Sequence, residues 1–264
     1  MKLIGVLGGT SWPSTVIYYR VLNELAQAYL GGHHSARLLV HSIDYHEIRR
    51  RYPEAGVPAE MFDEIAPLLE RELLALAACR PDCIVLGNNT LHKSLDTFSE
   101  RLARAFPVPI PIFHIVDETA AVALADGRRR VLLLATRFTM EDGFFARRLA
   151  RHGIEAVVPD AAGRAEVQAI QTPLARGESR PEFRDRLHRL IADHADLDAV
   201  VLGCTELPLA VDPATCALPV LDTVRIQCER AFRFALADDA QSAVHARSAA
   251  PSMLAGAPSV VTTA

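Results

Sequence analysis

Two stretches of this chain match each other and differ at the one position where a proton carrier would stand. IVLGNNTLHK (84–93) and VVLGCTELPL (200–209) each run from an apolar segment into a Gly followed by small polar residues. After that Gly the later copy carries Cys204 and the earlier one Asn88. A thiol can release and recover a proton, whereas an amide has no titratable proton and can only hold or polarise. A helix opening after Thr205 and Glu206 would set the Cys204 thiol at a positive dipole end, lowering its pKa and favouring thiolate. Asn88, Asn89 and Thr90 are hydrogen-bonding side chains suited to a carboxylate or enolate oxygen. The plainer uses of the same residues are a buried strand-end cysteine and an ordinary strand-to-helix cap.

A second pair of small polar loops accompanies the first. LGGTS (7–11) presents Thr10 and Ser11, and LATRFT (134–139) presents Thr136 and Thr139. His92, four residues after Asn88, is a further candidate for the same cleft. GVLGGTS lacks the GxGxxG spacing, and Asp44 comes well past the usual place of a ribose-binding acid, so no nicotinamide cofactor is expected. Cysteines 79, 83, 204, 216 and 228 and histidines 33, 34, 41 and 46 show no metal-ligand spacing, so no metal is expected either. Arg128–Arg130 reads as a solvated helix end.

The elements that must carry these loops alternate in character. Strand-length apolar runs form a first set, LIGVL (3–7), RLLVHS (37–42), CIVLG (83–87) and VPIPIF (108–113). A second set is VLLLAT (131–136), EAVVP (155–159), DAVVLG (198–203) and LPVLD (218–222). Continuous apolar character points to parallel strands covered on both faces. Segments such as STVIYYRVLNELAQAYL, AEMFDEIAPLLERELLALAA and PEFRDRLHRLIADHA have helical periodicity between them. The reading is an α/β fold of two pseudo-symmetric half-domains, each a central, mainly parallel sheet flanked by helices. Ligands of such sheets bind beyond the carboxyl ends of the strands, so the four loops would converge in the cleft between the halves. The expected division is 1–115 with 209–236, then 116–208, with 237–264 a mobile tail outside the fold.

Bulk properties set the class. Of the 264 residues 50% are apolar and 23% charged, enough for one large or two modest cores. A net charge of −4 gives no electrostatic case for nucleic acid or anionic membrane, and no apolar stretch is long enough for a membrane-spanning helix. The opening MKLIGVLGGTSW is too short a run for a signal peptide, so a cytoplasmic location is expected.

Several long, collinear tokens, GVLGGTSWPSTVIYYRVLN (5–23), GGHHSARLLVHSIDYHEI (31–48), NTLHK (89–93), LATRFTMEDGFFARRL (134–149) and GCTEL (203–207), carry a resemblance. From Met1 to about Leu236 the chain resembles the aspartate/glutamate racemase superfamily, most of all its L-aspartate/glutamate-specific subgroup. The resemblance implies a racemase or epimerase that needs no pyridoxal phosphate or other cofactor, acts on a small-molecule carboxylate and forms a homodimer. In two-cysteine members one thiolate removes the Cα proton and the opposite thiol reprotonates the other face. Cys204 matches the second of these cysteines and Asn88 stands where the first belongs, a place held by Thr in the L-specific subgroup. Thr10, Ser11, Asn89, Thr90, Thr136, Thr139, Glu166, Thr205 and Glu206 are the implied substrate-binding positions.

Two departures bear on the substrate. Glu166 falls where the family carries a carboxylate-binding Lys, and Ile48 where many aspartate racemases carry an Arg. Both argue against a plain dicarboxylate, with Arg50, Arg51 or Arg164 as replacement cations. Two alternatives stand beside racemisation. One is a single-cysteine decarboxylase, isomerase or lyase, and the other a non-catalytic binding protein.

Overall fold

The computed structural model describes residues 1–52, 59–105 and 109–247. In chain order the first elements are β1 (Ile4–Gly8), α1 (Trp12–Leu30), β2 (Leu38–Ser42) and α2 (His46–Arg49). A 3-10 turn (Ala59–Glu64) then leads into α3 (Ile65–Ala78), followed by β3 (Cys83–Leu86), α4 (His92–Arg104) and α5 (Ile115–Ala125). The second half begins with β4 (Arg130–Ala135), α6 (Arg137–Asp142), α7 (Phe144–Arg151), β5 (Glu155–Val157) and α8 (Ala161–Leu174). It continues through α9 (Pro181–Ala192), β6 (Ala199–Gly203) and β7 (Val220–Asp222) to α10 (Thr223–Arg247).

Two parallel sheets result, ordered β2-β1-β3 and β5-β4-β6-β7. Continuous apolar strands are required because both faces are covered. In β1 and β3, Ile4, Val6, Cys83 and Val85 pack in one core with residues of α1 and α10. Leu7, Ile84 and Leu86 point the other way, into a core shared with α3 and α4. In the second half Leu132, Leu133, Val200 and Val201 are fully buried in a core that includes Phe145, Val167 and Leu187.

Three details differ from the sequence reading. Of the run at 108–113, the described residues 109–113 make only an isolated bridge, Ile84 with Ile112, because Pro109 and Pro111 have no N–H to offer β3 where Phe113 N does donate to Ile84 O. The span 209–236 is split, since β7 pairs with β6 in the second sheet while α10 returns to pack on α1, β1 and β3. Helix α10 runs on to Arg247, through the first part of the segment read as a tail, whose Ala, Gln and Arg residues sustain a helix without an amphipathic pattern. Residues 248–264, the rest of that segment, lie outside the described residues. Among the described residues no helix is long and apolar enough to cross a membrane.

Candidate active site

Each central strand ends in a loop that must turn sharply, and those loops hold the polar residues. After β1 the chain turns at Gly9, whose φ of +82° only Gly adopts readily and where a side chain would strike the Ile43 backbone. Ser11 follows at φ 151°, a conformation rare for a residue with a Cβ, and begins α1. The Thr10 hydroxyl donates to Gly87 O at 3.0 Å, and the Asn88 amide donates to Thr10 O at 3.4 Å, so the loops after β1 and β3 are tied together. Asn88 Oδ1 also accepts from Leu91 N at 3.0 Å, the local cap anticipated as its plainer use.

The two halves meet through these loops. Thr90 and Thr139 share a 2.9 Å hydroxyl contact, and Thr136 caps α6 by accepting from Thr139 N at 3.2 Å. Lys93 reaches Asp142 at 2.6 Å. On the other side Ser14, one turn into α1, lies 2.6 Å from the Thr205 hydroxyl and donates to Glu206 Oε1 at 2.9 Å. These contacts form three hydrogen-bonded groups: Thr10 with Asn88, Thr90 with Thr136 and Thr139, and Ser14 with Thr205 and Glu206.

Cys204 is 5% exposed and donates its thiol to Glu206 Oε2 at 2.9 Å. The expectation of a thiolate favoured by a helix dipole fails. Only the 3-10 turn Leu207–Ala210 follows, too short for a macrodipole, and burial together with the Glu206 carboxylate pushes the thiol pKa well up. The resting form is a protonated thiol on a buried carboxylate. Gln171 of α8 also stands close enough to Cys204 to oppose this rise slightly.

Behind the Asn88 loop lies a neutral network. His92 Nδ1 is 2.8 Å from Asn88 O, and because a carbonyl only accepts, Nδ1 carries the proton. Its Nε2 then accepts from Gln227 Nε2 at 3.3 Å, and Tyr18 OH donates to Gln227 Oε1 at 2.6 Å. Burial and the neighbouring His114 keep the His92 pKa well below the usual value, so the ring is uncharged. His92 faces the back of the loop.

Four buried side-chain atoms lack a hydrogen-bond partner among the described residues: Ser11 Oγ, Tyr52 OH and both amide atoms of Asn89. All lie on segments that follow the strands of the first sheet at their carboxyl ends, where a ligand of a parallel sheet would sit. Tyr52, Ser14 and Gln171 escaped the sequence reading. Ser14 is one turn after Ser11 and could have been found from helix spacing, but Tyr52 and Gln171 carry no local signal.

The remaining positions are engaged elsewhere. Glu166 pairs with Arg186 of α9 at 2.9 Å, and Ile48 is 2% exposed in the core around α3. Arg50 pairs with Glu47, Arg51 with Glu47 and Glu64, and Arg164 with Glu141.

Two parallel half-sheets whose strand-end loops carry a buried thiol on a carboxylate and paired hydroxyls define the class of α/β protein, and comparison gives its family. The family described as Asp/Glu/Hydantoin racemase matches residues 7–231, so the chain belongs to that family. A structure from Yersinia pestis described as a candidate Asp/Glu racemase is 35% identical, covering 89% of this chain and 100% of its own, with a TM-score of 0.76. An aspartate racemase homologue from Pyrococcus horikoshii is 30% identical over 89% and 99% of the two chains, with a TM-score of 0.74. A glutamate racemase from Cupriavidus pinatubonensis is 29% identical over 164 residues, which is 61% of this chain and 57% of that protein's length.

Proposed function

We propose that the chain is a racemase- or epimerase-type enzyme, independent of pyridoxal phosphate, that moves a proton at the carbon next to a carboxylate through Cys204. The observation that carries this reading is the buried Cys204–Glu206 pair at the end of the central strand β6. Glu206 Oε2 takes the thiol proton and leaves a thiolate, which then forms an S–H bond with the Cα proton while the Cα–H bond breaks. The electron pair moves into the carboxylate as an enolate, and donors among Ser11, Asn89 and Thr90 stabilise it in a water-poor site. When the thiol proton has first exchanged with solvent, its return to the same face regenerates substrate of unchanged configuration carrying a solvent hydrogen. Inversion needs delivery on the other face.

The pairing of Glu166 with Arg186, and the engagement of Arg50, Arg51 and Arg164 with nearby carboxylates, favour a substrate other than a plain dicarboxylate. A single-acid decarboxylase, isomerase or lyase is the second reading, favoured by Asn88 opposite a resting protonated thiol. Proton–deuterium exchange at Cα, followed by NMR over the amino acids and malonates with chiral and CO2 analysis, separates the two. A Cys204→Ser variant with unchanged turnover overturns both, and ligand-induced thermal stabilisation without any turnover would point to a binding protein. A cytoplasmic homodimer is the expected state, tested by light scattering and fractionation.

A further inference from the structure

The proposed chemistry leaves one face of the reacting carbon without a proton donor, since the Asn88 amide has no titratable proton. The groups around that loop narrow the choice. Lys93 is held by Asp142 and lies over the Phe62 and Phe138 rings, and His92 is bound to the back of the loop at Asn88 O and to Gln227. Thr90 and Thr139 hydroxyls are bonded to each other, and aliphatic hydroxyls are far weaker acids than a phenol.

Tyr52 is different. Among the described residues its buried hydroxyl has no hydrogen-bond partner, although Tyr45, Thr90 and Asn88 stand near enough to influence its ionisation. The ring is clamped edge-on by Tyr45 at 6.0 Å, Phe62 at 5.5 Å and Phe138 at 6.1 Å between centroids, the last from the second half of the molecule. The Arg49 guanidinium lies 5.5 Å from its ring centroid. An aromatic clamp that fixes a phenol beside Asn88, and leaves its oxygen unbonded, costs stability unless a ligand or proton transfer uses it.

We infer that the Tyr52 phenol is the proton carrier of the Asn88 side, standing opposite Cys204 in an unlike thiol–phenol pair. This rests on the proposed proton transfer by Cys204. As the thiolate takes the Cα proton, the Tyr52 O–H bond breaks and a C–H bond forms on the opposite face, leaving phenolate and thiol. The reverse reaction starts from that state. Burial pushes the phenol pKa up to about 12, against smaller lowering influences from Tyr45, Arg49, Thr90 and Asn88, so the group rests protonated as the acid of this step.

The test is Tyr52→Phe, which keeps the ring in its clamp and removes only the hydroxyl. Each enantiomer of the chiral protein amino acids is incubated in D2O with wild type, Tyr52→Phe and Cys204→Ala, and Cα exchange and inversion are read by NMR and chiral chromatography. In Tyr52→Phe inversion should fall about 100-fold or more, the scale of a lost general acid. The enantiomer whose Cα–H faces Cys204 should still exchange with retention. Restored inversion in Tyr52→Phe with Asn88→Cys would show that a proton carrier, not a fold, was lost. Inversion by Tyr52→Phe within about threefold of wild type, a span small beside the general-acid effect, overturns the role of Tyr52 and leaves the function standing. Wild-type exchange without inversion overturns the role of Tyr52 and the racemase reading, and leaves only proton transfer by Cys204. Undiminished exchange by Cys204→Ala, or none by wild type on any member of the panel, overturns the proposed function and this inference with it.

Discussion

The loops after β3 and β6 begin as the same sequence and end as chemical opposites. The later loop holds a thiol on a buried carboxylate, with both Glu206 oxygens occupied by Ser14 and Cys204. The earlier loop holds amides and hydroxyls, backed by a neutral imidazole that donates to Asn88 O. A buried anion raises the proton affinity of the thiol beside it, while a neutral backing leaves the first loop with no acid–base group of its own. Duplication therefore conserved the positions and not the charges. The acid–base asymmetry of the site is built into what each loop rests on.

The strongest way to break this contrast is to remove the thiol. Cys204→Ala should lower Cα proton exchange by about 100-fold or more, measured by deuterium uptake. Unaltered exchange would mean that the later loop is not the armed one.

The neutral backing of the earlier loop should show as acid lability. His114 packs edge-on against His92 at 4.8 Å, and burial holds its pKa down to about 4 with help from Arg148. An unfolded histidine binds its proton near 6.5, so between these values the unfolded chain carries the extra proton. Stability from this group is complete above that window and falls as pH drops through it, by about 3 kcal/mol at most. His114→Asn keeps the helix cap without the titration, and its urea midpoint should vary less between neutral pH and the lower end of the window.

A smaller effect should follow Glu206→Gln. Loss of the carboxylate removes an influence that raises the Cys204 pKa, so alkylation by iodoacetamide at neutral pH should speed up, while proton exchange slows about tenfold. Equal alkylation rates would show that burial alone controls the thiol. Least of all, Asn88→Ala should cost only about 1 kcal/mol through the lost Leu91 N–H bond, read by thermal unfolding. A much larger loss would give the first loop a structural weight that the comparison denies it.

Much of this was legible along the chain. Period and run length gave the parallel strands, because strands covered on both faces must be apolar throughout, as β4 and β6 are. Spacing also identified the four strand-end loops and the Cys204/Asn88 difference. It missed the loss of strand pairing over 109–113, where alternating prolines remove the donors a strand needs, and the continuation of α10 to Arg247. Glu166 was an expected site position by alignment, and its ion-pair partner, Arg186, twenty positions away on α9, carries no signal along the chain.

The residue types and the duplicated register, then, were determined by the sequence itself, since they depend on local periodicity and on which side chains hold titratable protons. The ionisation of Cys204, the neutral state of His92 and the placing of Tyr52 beside Asn88 were decided by tertiary structure. All three depend on burial, and His92 and Tyr52 also on neighbours distant in the chain, His114 and Asn88 among them; desolvation and pairing act through space.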